Sequence, residues 1–165
     1  MHRLYLTKTE QRICTGIGKI RHEITSAQGT ERKQDQSKDG LQMSIEGVLT
    51  EYAVAKALNL HFDLNCDFRK FGADLVLHNG LTIDVKSTKP GGNLNAVKWS
   101  NGKDADYYVL TEIHHNFVGI VGYLERHLFL IDANLRDVGN GQFYSAPQRA
   151  LFSIENLLSN QTHIF

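Results

Sequence analysis

The spacing of apolar residues predicts one well-defined helix. Between residues 41 and 59 the apolar side chains recur every three or four positions, at Leu41, Ile45, Val48, Leu49, Tyr52, Ala55 and Leu58. This spacing is typical of one face of an α-helix. Asn59 is a suitable C-terminal residue, because asparagine tolerates the left-handed conformation that ends many helices. A weaker helical pattern within residues 7–38 is interrupted by glycines, which lower helix propensity, and residues 28–40 are predicted to be a loop or an arm.

Strand signals follow in the second half of the chain. Two strand-like runs flank Asn79-Gly80, and Asn-Gly is the strongest short signal for a hairpin. Further strands are predicted at Tyr107–Ile113 and Phe117–Tyr123, and a short helix at Ser153–Leu158. A helix, four strands joined by consecutive hairpins and a closing helix together predict a mixed α/β domain.

The register of the first hairpin decides which side chains meet. A two-residue loop would mix polar and apolar residues on both faces of the hairpin. A three-residue loop, His78-Asn79-Gly80 with Gly80 left-handed, separates them. One face is then apolar, with Ala73, Leu75, Leu77, Leu81, Ile83 and Val85, and the other carries Asp74, Val76, Thr82, Asp84 and Lys86. Because a slip of one residue exchanges the two faces, the apolar pattern favours the second register.

This register places Asp74 directly opposite Asp84. Side chains in such a cross-strand pair have Cβ atoms about 4.5–5.5 Å apart, and like charges there are destabilising. A hard divalent cation between the carboxylates removes the repulsion, and Mg²⁺ typically takes one or two carboxylates and leaves its other positions to water and phosphate. Lys86 follows on the same face, where it can orient a metal-bound water or help to deprotonate it. The alternative is an ordinary polar face of a solvated edge hairpin.

A glutamate on the predicted helix completes the candidate site. Glu51 borders the buried stripe of that helix, and Gly47 beside it leaves room for close approach. A carboxylate in such a setting needs a partner. Glu46, about 140° away around the helix, has more polar neighbours and remains the alternative.

Together these residues resemble the PD-(D/E)xK nuclease superfamily, which includes restriction enzymes, Holliday-junction resolvases and phage recombination nucleases. Small stand-alone, phage-like members resemble the chain over roughly residues 40–130. The matching motifs read Gly47-Val48-Leu49-Thr50-Glu51-Tyr52-Ala53, Gly72-Ala73-Asp74 and Asp84-Val85-Lys86-Ser87-Thr88. Ala73 stands where the proline that gives the superfamily its name would be, and many members lack that proline.

The resemblance implies a restriction-endonuclease-like core, with a mixed central β-sheet flanked by α-helices, and a Mg²⁺-dependent DNA endonuclease. Glu51, Asp74, Asp84 and Lys86 would be catalytic. Mg²⁺, or Mn²⁺ in its place, would be bound by Asp74, Asp84 and the main-chain carbonyl of Val85, with Glu51 joining directly or through water. Many such nucleases are dimers, so a homodimer or higher oligomer is expected. A catalytically inactive nucleic-acid-binding module and a structural or partner-binding domain stay open as alternatives.

Composition and charge refine this interpretation. The 165 residues suffice for one domain, of which residues 1–40 form a basic N-terminal arm or helix. The net charge is +0, but residues 1–38 hold eight Lys or Arg and four acids, whereas the remainder holds ten and fourteen. Basic patches attract phosphate even when the total charge is neutral. The candidate DNA-binding residues are Lys89, Asn93, Lys98, Lys103, Arg32 and Lys33, and Trp99 could stack on a base.

The expected setting is intracellular. The N-terminus has no long apolar segment typical of a signal peptide, and no apolar run approaches the length of a membrane span. Cys14 and Cys66 cannot build a disulfide framework. We therefore expect a cytoplasmic protein, acting in the host cell if it is phage-encoded, with DNA rather than a membrane as its partner.

Overall fold

A computed structural model describes residues 1–28, 39–66, 73–98, 104–139 and 141–161. The helices among them are α1 (Lys8–Ala27), α2 (Gly40–Ala57), α3 (Arg126–Phe129) and α4 (Ile154–Gln161). The strands are β1 (His2–Leu4), β2 (Leu75–Val76), β3 (Thr82–Thr88), β4 (Leu94–Val97), β5 (Tyr107–Ile113), β6 (Val118–Glu125), β7 (Leu135–Asp137) and β8 (Gln142–Ala146). The mixed α/β class predicted from the sequence is confirmed.

The strands form two sheets. The central sheet has five strands in the order β1-β6-β5-β3-β2, and a smaller sheet has three in the order β4-β8-β7. Within the central sheet β3 and β5 are parallel, and the other pairs are antiparallel. The prediction of consecutive hairpins is therefore wrong between the second and third predicted strands, where the chain leaves the central sheet and returns in the same direction.

The departure from the central sheet takes place at Pro90-Gly91-Gly92. Gly91 has a φ of 82°, in the left-handed region that favours glycine, and a Cβ on Gly92 would lie 2.0 Å from Thr88 Oγ1. The tight turn leads the chain into β4, a strand that the sequence analysis did not predict. Leu94 and Ala96 are buried and Asn95 is exposed, so β4 does alternate, but over too few residues to stand out.

Both faces of the central sheet are covered. On one face Val54 of α2 and Leu58 at its C-cap pack with Val85 of β3. On the other face the small sheet contributes Leu94 and Ala96, which pack in the cluster that contains Leu110 of β5. Burial on both faces explains why β5 reads as an almost continuous apolar run.

The weak helical pattern near the N-terminus belongs to a helix of 20 residues. Its start has a capping box, in which Thr7 Oγ1 accepts from the main-chain N–H of Glu10 and Glu10 Oε2 accepts from that of Thr7. A Cβ on Gly18 would lie 2.6 Å from the Cα of Ile45 on α2. The glycine that lowers helix propensity thus permits the close packing of α1 on α2, and so the predicted arm is in large part a helix.

The other predicted elements lie close to their expected positions. The helix α2 begins at Gly40 and ends at Ala57, two residues before the predicted end, and Asn59 has a positive φ of 52° as expected. The strand β5 covers the predicted range, and β6 is displaced by one or two residues. No helix within the described residues has both the length and the apolar composition that crossing a bilayer requires.

Candidate active site

The hairpin of β2 and β3 has the register that the sequence favoured. Leu75 pairs with Ile83 and Val76 with Thr82. Asp74 lies one residue before β2, beside the stretch of β3 that contains Asp84, and its main-chain N–H donates to the Ile83 carbonyl at 3.0 Å. Gly80 has a φ of 85°, as the three-residue loop requires. The apolar face is buried at Leu75, Leu77, Ile83 and Val85, whereas Leu81 at the loop is 36% exposed.

Asp74 lies where β2 begins, with its carboxylate turned towards β3. The main-chain N–H of Val85 donates to Asp74 Oδ2 at 2.7 Å. Within the described residues this carboxylate has no further hydrogen-bond partner. Since a residue of an extended strand directs its N–H and C=O towards the same neighbour, the Val85 carbonyl also lies on the Asp74 side of β3. The hairpin thus brings together two of the predicted metal ligands and the predicted carbonyl ligand.

Asp84 and Lys86 form an ion pair on β3. Lys86 Nζ donates to Asp84 Oδ1 at 2.8 Å, and the two side chains are 34% and 22% exposed, respectively. Burial acts to lower the pKa of Lys86, but the nearby carboxylates of Asp84 and Asp74 outweigh it and raise that pKa. Lys86 is therefore a stable cation beside the two aspartates.

Glu51, rather than Glu46, is the helix acid that faces the hairpin. Its charge acts on the ionisation of both Asp74 and Lys86. Glu46 instead accepts a hydrogen bond from Gln42 Nε2 at 3.1 Å on α2 itself. The position of Glu51 beside the buried stripe was thus a usable signal in the sequence.

The sequence interpretation missed Arg21. This residue of α1 donates from Nη1 to Glu51 Oε2 at 2.6 Å, and the side chains of Arg21 and Glu51 are 24% and 15% exposed. The signal that could have revealed it is the one that selected Glu51, because Arg21 follows the buried residues Ile17 and Gly18 by one helical turn.

Electrostatics unite these residues into one cluster. The pKa of Asp74 is raised well above its usual value, first by loss of hydration and then by the negative charges of Glu51 and Asp84. Lys86 and the N–H of Val85 oppose the rise without cancelling it. Asp74 remains partly accessible to solvent, yet the protein packed around its carboxyl group removes much of its hydration. Asp74 is therefore the acid of the site whose charged form most needs an additional cation.

The donor set suits a hard divalent cation. Among the described residues, Arg21 and Lys86 each pair with one of the three carboxylates, and no ion pair to Asp74 is present. Two carboxylates and a main-chain carbonyl are oxygen ligands of the kind that Mg²⁺ takes. Within the described ranges, however, no three His, Cys, Asp or Glu side chains form a ready-made metal-ligand set. Asp84 and Glu51 are each paired with a cation, with which a metal would have to compete for the same carboxylates.

Three of the predicted DNA-binding residues follow β3 along the chain. Lys89 lies in the turn, Asn93 precedes β4 and Lys98 follows it, and all three are exposed. Asn93 Nδ2 donates to Ser145 Oγ at 3.2 Å, and Lys98 Nζ to Gln142 Oε1 at 3.4 Å, so both contact β8. The remaining candidates, Arg32, Lys33, Trp99 and Lys103, lie outside the described residues.

A buried carboxylate fixes the turn that carries Lys89. Glu112, at 5% exposure, accepts from the N–H of Gly91 at 2.7 Å and from Gln148 Nε2 at 2.6 Å. Gln148 Nε2 also donates to the Gly92 carbonyl at 2.9 Å. The turn after Lys86 is thus tied to the end of β5.

A scan against protein-family models and searches of curated proteins and of solved structures find no match to this chain.

Proposed function

We propose that the protein is a Mg²⁺-dependent DNA endonuclease that hydrolyses phosphodiester bonds at the site of Glu51, Asp74, Asp84 and Lys86. The observation that carries the proposal is the position of the Asp74 carboxylate, which accepts from the N–H of Val85 on β3 and lies within the electrostatic reach of Glu51, Asp84 and Lys86. A short polar hairpin has no structural need for three interacting carboxylates, since their repulsion is destabilising. A divalent cation would remove that repulsion.

The architecture is compatible with the proposal. A mixed sheet has α2 packed beside the hairpin that carries the two aspartates. This is the order of parts that the PD-(D/E)xK resemblance implies, and we propose on that basis that the core is restriction-endonuclease-like. The scan and searches without a match give this assignment no independent support.

The residues of the chain divide the chemistry between them. Asp74, Asp84 and the Val85 carbonyl would hold Mg²⁺, with Glu51 joining directly or through water. When bound, the ion supplies the positive charge that polarises a phosphoryl oxygen and makes a water molecule more acidic. The Lys86 ammonium can orient the attacking water and balance the negative charge that develops on the phosphate. In-line attack would leave a 5′-phosphate and a 3′-hydroxyl, as the resemblance implies.

The charges of the site also explain why we expect DNA to bind there only when metal is present. Counted over the described residues alone, the ionised cluster without metal has three carboxylates and two cations, and its surplus of one negative charge repels a phosphodiester. A divalent ion changes the balance to one positive charge. Lys89, Asn93 and Lys98 would then contact neighbouring phosphates, which position the duplex without specifying its sequence.

The test is a cleavage assay with the purified full chain. Supercoiled plasmid, linear duplex, single strands and a four-way junction are incubated with Mg²⁺ or with EDTA. We expect cleavage of at least one substrate with Mg²⁺ and none with EDTA. Asp84→Asn should abolish it and Lys86→Gln should slow it strongly. Asp132 is an exposed aspartate that is not part of the site, so Asp132→Asn should cut like the wild type. Cleavage by Asp84→Asn at the wild-type rate would refute the proposal.

A DNA-binding module without cleavage is the second candidate function. It is favoured by the pairing of Lys86 and Arg21 with two of the three acids, which leaves no ready-made metal-ligand set among the described residues. Under this alternative the chain binds DNA equally well in EDTA and in Mg²⁺, and it cuts none of the substrates with either Mg²⁺ or Mn²⁺.

A further inference from the structure

The ion pair between Arg21 and Glu51 joins the site to a helix that carries none of its acids. Arg21 Nη1 lies 2.6 Å from Glu51 Oε2, a short distance typical of a charge-assisted hydrogen bond. Both side chains are largely shielded from solvent, at 24% and 15% exposure, so water screens their attraction less than it would on an open surface. Glu51 is therefore strongly held by a cation that belongs to the protein.

The Glu51 carboxylate cannot bind both Arg21 and a divalent ion at full strength at the same time. The positive charge of Arg21 lowers the attraction of Glu51 for a second cation, and the Oε2 atom that accepts from Arg21 must give up or share that bond in order to coordinate a metal. Arg21 has another partner in place, because its guanidinium carbon lies 5.9 Å from the centre of the Phe62 ring, within cation–π range. The guanidinium thus keeps a favourable contact when Glu51 turns away.

We propose that Arg21 is a positioning residue that competes with the divalent cation for Glu51 and thereby keeps the metal affinity of the site low until DNA binds. The inference rests on the proposed function. DNA brings a phosphate oxygen as an additional ligand of the ion, and this ligand compensates for the weakened contribution of Glu51. Loading of the site is then coupled to the arrival of the substrate.

The test measures Mn²⁺ binding by the full chain without DNA, from the electron paramagnetic resonance signal of free Mn²⁺. Arg21→Gln should bind Mn²⁺ roughly tenfold more tightly than the wild type, since removal of a nearby positive charge is worth about 1.4 kcal/mol or more at such distances. Arg21→Lys, which keeps the charge but loses the planar fork, should lie between the two. Arg12→Gln is the matched control, because Arg12 is an exposed arginine of the same helix, and its affinity should equal that of the wild type.

A double-mutant cycle identifies the route of the effect. In a Glu51→Gln background, Arg21→Gln should no longer tighten Mn²⁺ binding. Thermal unfolding of each variant verifies its fold, and Arg21→Lys keeps the test decisive if Arg21→Gln fails to fold. This inference alone is overturned if the Arg21 variants bind Mn²⁺ no more tightly than the wild type while Asp74→Asn and Asp84→Asn lose Mn²⁺ binding. Wild-type binding that does not depend on Asp74 and Asp84 overturns the proposed function itself.

Discussion

Replacement of Asp74 by asparagine should stabilise the metal-free protein while removing its capacity to bind metal. The side-chain oxygen of asparagine can still accept from the N–H of Val85, which lies 2.7 Å from Asp74 Oδ2. The substitution therefore removes a negative charge without removing the hydrogen bond. The pKa of Asp74 is raised by loss of hydration and by Glu51 and Asp84, so the charged form is the destabilising one.

The size of the effect follows from the hairpin geometry. Two carboxylates at a separation of about 5 Å, the usual spacing of side chains on neighbouring strands, would repel by about 3 kcal/mol at an effective dielectric constant of ~20. Lys86, bound to Asp84 at 2.8 Å, offsets a large part of this. We expect Asp74→Asn to raise the free energy of unfolding by about 1–2 kcal/mol at pH 8.

The pH dependence has a definite sign. Because the pKa of Asp74 is higher in the folded than in the unfolded protein, the folded state binds more protons, and the wild type loses stability as the pH rises above the unfolded value. Asp74→Asn lacks this loss. The gain in stability of Asp74→Asn over the wild type should be small near pH 4 and should grow as the pH rises through the pKa of Asp74 in the folded protein.

Urea unfolding with EDTA at several pH values measures this directly. Asp84→Asn is the matched comparison, because it removes the negative charge that pairs with Lys86 and should lower stability where Asp74→Asn raises it. A decrease in stability for Asp74→Asn at pH 8, or an advantage that is independent of pH, would refute the electrostatic reasoning.

Three further predictions concern single residues. Lys86→Gln should slow cleavage by roughly 100-fold without weakening Mn²⁺ binding, because it frees Asp84 of its ion pair; parallel cleavage and binding assays would show this. Glu10→Gln should lower the free energy of unfolding by about 1–2 kcal/mol at pH 7, because the hydrogen bonds from Lys56 and the main chain hold the pKa of Glu10 at about 2. Urea unfolding should show that the difference between variant and wild type shrinks as the pH falls from 4.5 towards 2. Glu112→Gln should lower the free energy of unfolding by about 1–3 kcal/mol at neutral pH. Burial opposes ionisation of Glu112, yet the N–H of Gly91 and other donors still lower its pKa, so the loss of stability should diminish in acid. An equal loss at all pH values would contradict this reasoning.

The hairpin and its carboxylates were predictable because the information is local. One apolar face, one Asn-Gly loop and a left-handed Gly80 together determine the register. The same holds for Glu51, whose position beside the apolar stripe of α2 is visible in a single helical pattern.

The parallel pairing of β3 with β5 was not predictable in the same way. β3 alternates between polar and apolar residues whereas β5 is almost continuously apolar, and neither pattern indicates that the chain forms β4 in a second sheet between them. That departure depends on a tight turn at Gly91 and Gly92, braced by Glu112 from a distant strand. Contacts between residues far apart in the sequence leave no periodic signal.

Arg21 could not be predicted as part of the site for the same reason. It meets Glu51 across 30 residues, and only the packing of α1 on α2 brings the two together. That packing depends on the close approach of Gly18 to Ile45, where a glycine lowers the helix propensity on which the sequence interpretation relied.

The central claim is that a divalent cation binds between Asp74 and Asp84. Its most direct test is the anomalous scattering of Mn²⁺ in crystals of the full chain soaked with that ion. We predict a peak about 2.0–2.3 Å from carboxylate oxygens of Asp74 and Asp84 and from the Val85 carbonyl, absent from crystals of Asp74→Asn. A fully occupied Mn²⁺ elsewhere on the protein, with none at the two aspartates, would contradict the account.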